Sequence, residues 1–252
     1  MTVTEWVRNE ETAPRAGRPA DRKPETLMEV RKMIRNGFYP FLAGILALML
    51  AACSEPPDNN RAVFLLIDIS SDYATEMDKA ERLGNYLLGT LDGGDSLAVA
   101  FIDNSSFTER NIIARQTFER QPSTRNAQKR AFQAELGAFM ERFSVPSYHS
   151  DITGGVLLAR DYLEETGAAE KHLFLLSDLH EDVPPGVDRN VALGLDGVRV
   201  HAINVKRQRV DNRNPRGYRE RMVDWQRRVE DAGGEWQIVN DVARLDTALA
   251  LR

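Results

Sequence analysis

The sequence predicts an α/β fold, a Rossmann-like three-layer sandwich with a mainly parallel central sheet and helices on both faces. Three observations carry that expectation. Residues 62–67, 96–102, 172–176 and 198–205 are apolar runs with little alternation, as strands buried on both faces are. The segments between several of them carry apolar residues three and four apart, the spacing of a helix with one buried stripe. Strand and helix then alternate along the chain, the order that pairs strands in parallel through crossovers.

Taken in order, Ala62-Val63-Phe64-Leu65-Leu66-Ile67 is the first strand and ends in Asp68. Met77, Ala80, Gly84, Leu87, Leu88 and Leu91 form one stripe of a helix over 75–91, closed by the turn Asp92-Gly93-Gly94-Asp95. The second strand, 96–102, ends in Asp103, and the charged, more alternating stretch 107–118 suits an edge strand. Pro122 opens a long helix with Phe132, Leu136, Phe139, Met140 and Phe143 on one face. Asp151-Ile152-Thr153-Gly154-Gly155 leads into a helix running to about Thr166, with Thr153 a candidate N-cap. The third buried strand ends in Ser177-Asp178, and the fourth follows the loop containing Pro184-Pro185-Gly186. Asn214-Pro215 starts a helix striped with Tyr218, Met222, Trp225 and Val229 and stopped by Gly233-Gly234. Trp236-Gln237-Ile238-Val239 is the last strand, and Asp241 starts a terminal helix.

The 252-residue chain divides at its only cysteine. Residues 38–52 are apolar and uncharged but too short to span a bilayer comfortably, and they end in Leu50-Ala51-Ala52-Cys53. That ending resembles the lipobox of bacterial lipoproteins. The resemblance implies a signal peptide over 33–52, cleavage before Cys53 and lipidation of its sulfur. Residues 1–32 then read as a non-native or disordered extension, 53–61 as a lipidated tether and 62–252 as the working domain. The expected location is the bacterial cell membrane, as a lipoprotein. Ser54 after the cysteine points to the outer membrane, facing the periplasm, in a host with two membranes. From Cys53 onward 25 Lys and Arg stand against 32 Asp and Glu, a net charge of −7. An acidic domain argues against nucleic-acid binding. With its one cysteine lipidated the chain has no disulfide, so the core must hold the fold.

In open parallel sheets ligands bind at the carboxyl ends of the strands. Asp68-Ile69-Ser70-Ser71-Asp72 follows the first strand, Thr153 opens a later helix, and Asp178 follows the third buried strand. Such hard oxygen donors suit Mg²⁺, Mn²⁺ or Ca²⁺ rather than zinc. The order resembles a von Willebrand factor type A (vWA) domain with its metal-ion-dependent adhesion site, which reads Asp-x-Ser-x-Ser, a distant Thr, then a distant Asp. Asp68, Ser70, Thr153 and Asp178 match it, and Asp72 stands where the family has Ser. The resemblance implies a mainly parallel sheet with one short antiparallel edge strand. It also implies a divalent cation, Mg²⁺ first among candidates, and a module that binds a partner protein. A third carboxylate at Asp72 would either strengthen the cation site or disable it.

The competing class is a phosphatase-like, metal-dependent hydrolase with Asp68 as nucleophile and Ser177 after a later strand. Its general acid would stand two places after Asp68, where this chain has Ser70, so no residue takes a catalytic role. His149, His172, His180 and His201 share no ligand spacing, and His180-Glu181-Asp182 reads as a solvated loop beyond Asp178. Gly154-Gly155 is too little for a phosphate loop. Lys206 to Arg228 holds nine basic and three acidic residues. It reads either as a solvated face or, through Arg216, Arg219 and Arg227, as a surface for an anionic partner.

Overall fold

A computed structural model describes residues 59–70, 76–203, 205–207, 211 and 215–239. Cys53, the apolar run before it, Asp72 and the helix expected from Asp241 lie outside these residues. The elements follow in the order β1 (Arg61–Asp68), α1 (Met77–Thr90), β2 (Ser96–Ile102), β3 (Ile112–Thr117), α2 (Pro122–Arg142), α3 (Ile152–Glu165), β4 (Glu170–Leu176), β5 (Val198–Ile203), α4 (Pro215–Asp231) and β6 (Glu235–Val239), so the expected alternation breaks at β2–β3, α2–α3 and β4–β5. The six strands form one sheet of order β3-β2-β1-β4-β5-β6. Every pairing is parallel except β2 with β3. The antiparallel edge strand therefore falls within 107–118, after a single turn of 3-10 helix at Glu109–Asn111.

The unbroken apolar runs have a direct explanation. In β1, Ala62, Phe64 and Leu66 face one way and pack with Val156 and Leu163 of α3 and Trp225 and Val229 of α4. Val63, Leu65 and Ile67 face the other way and pack with Leu83 and Leu87 of α1 and Phe132 and Leu136 of α2. Side chains alternate between faces along a strand, so a strand covered on both sides is apolar at nearly every position. Two details depart from expectation. β1 begins at Arg61, inside the expected tether, and β5 ends at Ile203, short of Val205. Arg61 is drawn into the sheet by Asp95, which accepts from its backbone N–H at 2.8 Å and from its guanidinium at 3.1 and 2.7 Å.

Gly154-Gly155 also finds its use here. A Cβ at Gly155 would lie 3.2 Å from both Ile102 and Leu66, so α3 rests directly on β1 and β2. A Cβ at Gly154 would run into the Asp151 carboxylate. Among the described residues no helix is long and apolar enough to cross a membrane.

Candidate functional site

The sheet order reverses at β1, which pairs with β2 on one side and β4 on the other. Between β1 and β4, beyond their carboxyl ends, lies the crevice such sheets use for ligands. Asp68 closes β1 and Ser177-Asp178 follows β4, so register alone brings them to one edge. Asp68 is fully buried. Its Oδ1 accepts from the Ser70 backbone N–H at 2.9 Å. Its Oδ2 accepts from the Ser177 hydroxyl at 2.7 Å and the Ser150 hydroxyl at 3.1 Å. Burial pushes the Asp68 carboxyl above its ordinary pKa, hydrogen bonds from Ser177 and Ser70 oppose the shift, and the Asp178 charge adds to it. Two carboxylates thus share one pocket of low dielectric, and hydroxyl and amide dipoles hold the deeper one.

The loop that carries Asp178 is tightly shaped. Leu179 has φ 65°, the left-handed region that a branched side chain avoids. Its backbone N–H donates to the Ser177 hydroxyl at 3.0 Å, and its carbonyl accepts from the Trp225 indole at 3.1 Å. Asp178 in turn accepts from the His180 N–H at 2.8 Å. Strained backbone of this kind persists only where its surroundings over-determine it.

Thr153 sits in the first turn of α3, but the N-cap is Asp151, whose side chain accepts from Gly154 at 2.9 Å. The expected cap role of Thr153 is therefore displaced by two residues, which frees its hydroxyl for other work. Asp151 is buried and paired to Arg189 through two hydrogen bonds, at 2.7 and 2.6 Å. Burial opposes its ionisation, yet Arg189 and the backbone N–H groups of Ser106 and Gly154 outweigh that and hold its pKa below the usual carboxylate range.

Four groups outside the expected cation site converge on this edge. Ser150 and Ser177 both bond Asp68. Glu181, read as part of a solvated loop, accepts from the Thr153 backbone N–H at 2.6 Å and from Arg228 at 3.1 Å. Arg228 also donates to the Thr153 hydroxyl at 2.6 Å, and its guanidinium lies 4.3 Å from the Trp225 ring centre. These partners are 28 to 109 residues apart in sequence, and no local pattern announces them. The histidines also hold a surprise: His172 Nδ1 and His201 Nε2 meet at 3.2 Å, both buried. Burial lowers each to about 4.

Asp68, Ser70, Thr153 and Asp178 belong to the segments that meet at this edge. Among the described residues no three Asp, Glu, His or Cys side chains gather tightly enough to hold an ion. A cation here would have to use hydroxyl oxygens beside the two carboxylates. The donors do fit a hard divalent ion: all are oxygens, and buried Asp68 is a carboxylate whose charge the protein leaves costly.

A mainly parallel sheet of this order, its antiparallel edge strand and helices on both faces decide the architecture. The fold is vWA-like. No family model and no curated protein matches the sequence. Among solved structures, the domain is similar to BatB from Bacteroides thetaiotaomicron, at 16% identity over 75% of this chain and 95% of that one, TM-score 0.47. It is also similar to an aerotolerance-related membrane protein from Bacteroides fragilis, at 13% identity over 75% and 96%, TM-score 0.45. A von Willebrand factor type A structure from Catenulispora acidiphila matches at 17% identity over 76% and 41%, TM-score 0.45.

The basic stretch resolves into unlike parts. Arg221 is paired to buried Asp211 at 2.7 and 2.8 Å, and Lys206 is paired to Glu76. Arg228 turns inward to Thr153. Arg216, Arg219 and Arg227 remain on the exposed side of α4, with Arg227 beside Asp224 at 2.9 Å.

Proposed function

We propose that this is a membrane-anchored binding module. Its vWA-like domain holds a partner protein at the carboxyl edge of the sheet, through a divalent cation carried by Asp68, Ser70, Thr153 and Asp178. The observation that carries the reading is the placement of buried Asp68 and Asp178 at the carboxyl ends of neighbouring β1 and β4, the switch point of the sheet. Mg²⁺ is the first candidate, because the donors are hard oxygens and few, which leaves positions for water or an incoming carboxylate. When bound, the cation supplies positive charge that the two carboxylates lack and a point of attachment for an acidic side chain of the partner. Asp68 contributes charge from below, fixed in orientation by Ser150 and Ser177. Against Asp68 as a nucleophile stands Ser70 two places after it, where a hydrolase of that kind would need its general acid.

The anchor in this proposal is lipid on Cys53. It places the domain against a bacterial membrane, facing the periplasm in a host with two membranes. The exposed guanidinium groups of Arg216, Arg219 and Arg227 would widen the contact surface toward anionic partners.

Calorimetric titration of the chain with Mg²⁺, Mn²⁺ and Ca²⁺ tests the cation. Binding that Asp178→Asn abolishes supports the reading, and no binding of any of the three at millimolar concentration removes it. Membrane fractionation of cells carrying Cys53→Ala tests the anchor. The expected result is an unprocessed or soluble product, and normal processing into the membrane fraction would overturn it.

A further inference from the structure

The Thr153 hydroxyl, one of the four oxygens proposed to meet the cation, is already engaged. Arg228 donates to it at 2.6 Å, and Thr153 is fully buried. The guanidinium is held from three sides. Glu181 accepts from its other terminal nitrogen at 3.1 Å, the Trp225 ring lies beneath it at 4.3 Å, and Glu181 is itself fixed on the Thr153 N–H at 2.6 Å. Arg228 comes from the last turn and a half of α4, Glu181 from the loop after β4 and Thr153 from α3. The clamp therefore joins three separate elements at one corner of the site. A monovalent cation with directional donors here faces the same oxygen that a divalent cation would take, and two cations do not share one hydroxyl.

We propose that Arg228 is the residue that sets this domain's cation affinity: it occupies the Thr153 oxygen as a built-in competitor and must leave that oxygen before a divalent ion can use it. The inference rests on the cation reading of the site and deepens it. The guanidinium has somewhere to go. Its side chain keeps 29% exposure and borders an open cleft of about 680 Å³ between Arg189-Asn190-Val191 and the end of α4. Glu181 travels with neither partner by necessity, since it bonds the Thr153 backbone as well as Arg228. It remains to hold the helix start after Arg228 departs.

The test is Mg²⁺ and Mn²⁺ titration of the full chain by calorimetry, in the natural protein and in Arg228→Met, Arg227→Met and Glu181→Gln. Methionine keeps the length of the stem over Trp225 while removing the donors. Loss of a charged hydrogen bond that opposes binding predicts about tenfold tighter cation binding in Arg228→Met. Arg227→Met removes the same charge from an exposed neighbour that bonds Asp224 instead, and is expected to stay within about twofold of the natural chain. Glu181→Gln separates competition from plain electrostatics. Deleting a nearby negative charge would by itself weaken cation binding, whereas loosening the clamp strengthens it. Trp225 emission adds a second readout, because departure of the guanidinium from the indole face alters it during titration in the natural chain and not in Arg228→Met.

Tighter binding in Arg228→Met with Arg227→Met unchanged supports the proposal. Equal affinity in the natural chain and Arg228→Met overturns it and leaves the cation site standing. Absence of binding in both removes the cation site, and the competitor role goes with it. If Arg228→Met fails to fold, Glu181→Gln decides: weaker binding in that variant overturns the proposal.

Discussion

The two ends of β1 treat a buried aspartate in opposite ways. At the amino end Asp95 is 4% exposed and surrounded by donors: the Arg61 N–H and guanidinium and the Asp92 N–H. At the carboxyl end Asp68 is equally hidden but meets two hydroxyls, one N–H and a second carboxylate. Arg189 gives Asp151 the same service that Arg61 gives Asp95, a few residues from the site. A buried carboxylate with a guanidinium partner is part of the frame. One held only by hydroxyls and an N–H beside a second carboxylate keeps its charge costly, and burial holds its pKa above the ordinary value.

Breaking the amino-end pair is expected to have the largest effect. Asp95→Ala leaves Arg61 with a half-buried, uncompensated charge and removes its buried partner, and about 3 kcal/mol of stability should be lost. Urea denaturation checks this, and a loss under 1 kcal/mol by about the same measure would mean the pair does not anchor the sheet. The amino half has a second weak point in the His172–His201 pair. Both are lowered from 6.5 to about 4, chiefly by burial. Below pH 6.5 the unfolded chain takes up protons that the folded chain refuses. Stability should therefore fall with falling pH, by about 1.4 kcal/mol per unit for each histidine, until the loss levels off near pH 4. Thermal melts from pH 7 to 4.5 measure it, and a shift absent from His172→Gln/His201→Gln would assign it to this pair.

The carboxyl end should respond with the opposite sign. Asp68→Asn removes a charge that burial disfavours, so the fold is expected to gain about 1 kcal/mol while cation binding disappears. A calorimetric melt with and without Mg²⁺ separates the two effects, and destabilisation without Mg²⁺ would show that Asp68 is structural after all. The smallest change is expected on the exposed side of α4. Replacing Arg216, Arg219 and Arg227 together by Ser should alter stability by less than about 0.5 kcal/mol. It should reduce binding to anionic vesicles or an acidic partner at low salt only, and identical binding at both salt levels would return the face to plain solvation.

The frame was legible in the sequence for a physical reason. Strands covered on both faces are mostly apolar, so β1, β2, β4 and β5 declare themselves despite His172 and His201, and the charged alternation of 112–117 marks β3 as an edge. Asp68 and Asp178 could be placed because parallel strands end on one side. The clamp on Thr153 could not, because Arg228 looks like one more basic residue on a polar helix until α4 packs Trp225 beneath it. The Asp151 cap was hidden by a similar ambiguity, since Asp151 and Thr153 both belong to the residue types that start helices.

Gly155 gives the site a property that no polar residue supplies. α3 touches β1 and β2 at a position with no side chain, within 3.2 Å of where a Cβ would stand. The height of Thr153 above Asp68 is thus gauged by the α3 backbone resting on the Ile102 and Leu66 side chains, with no side chain of its own in between. A single methyl at Gly155 would act as a shim, lifting the first turn of α3 by tenths of an ångström, and the whole edge would lose its calibration while the core below stayed packed.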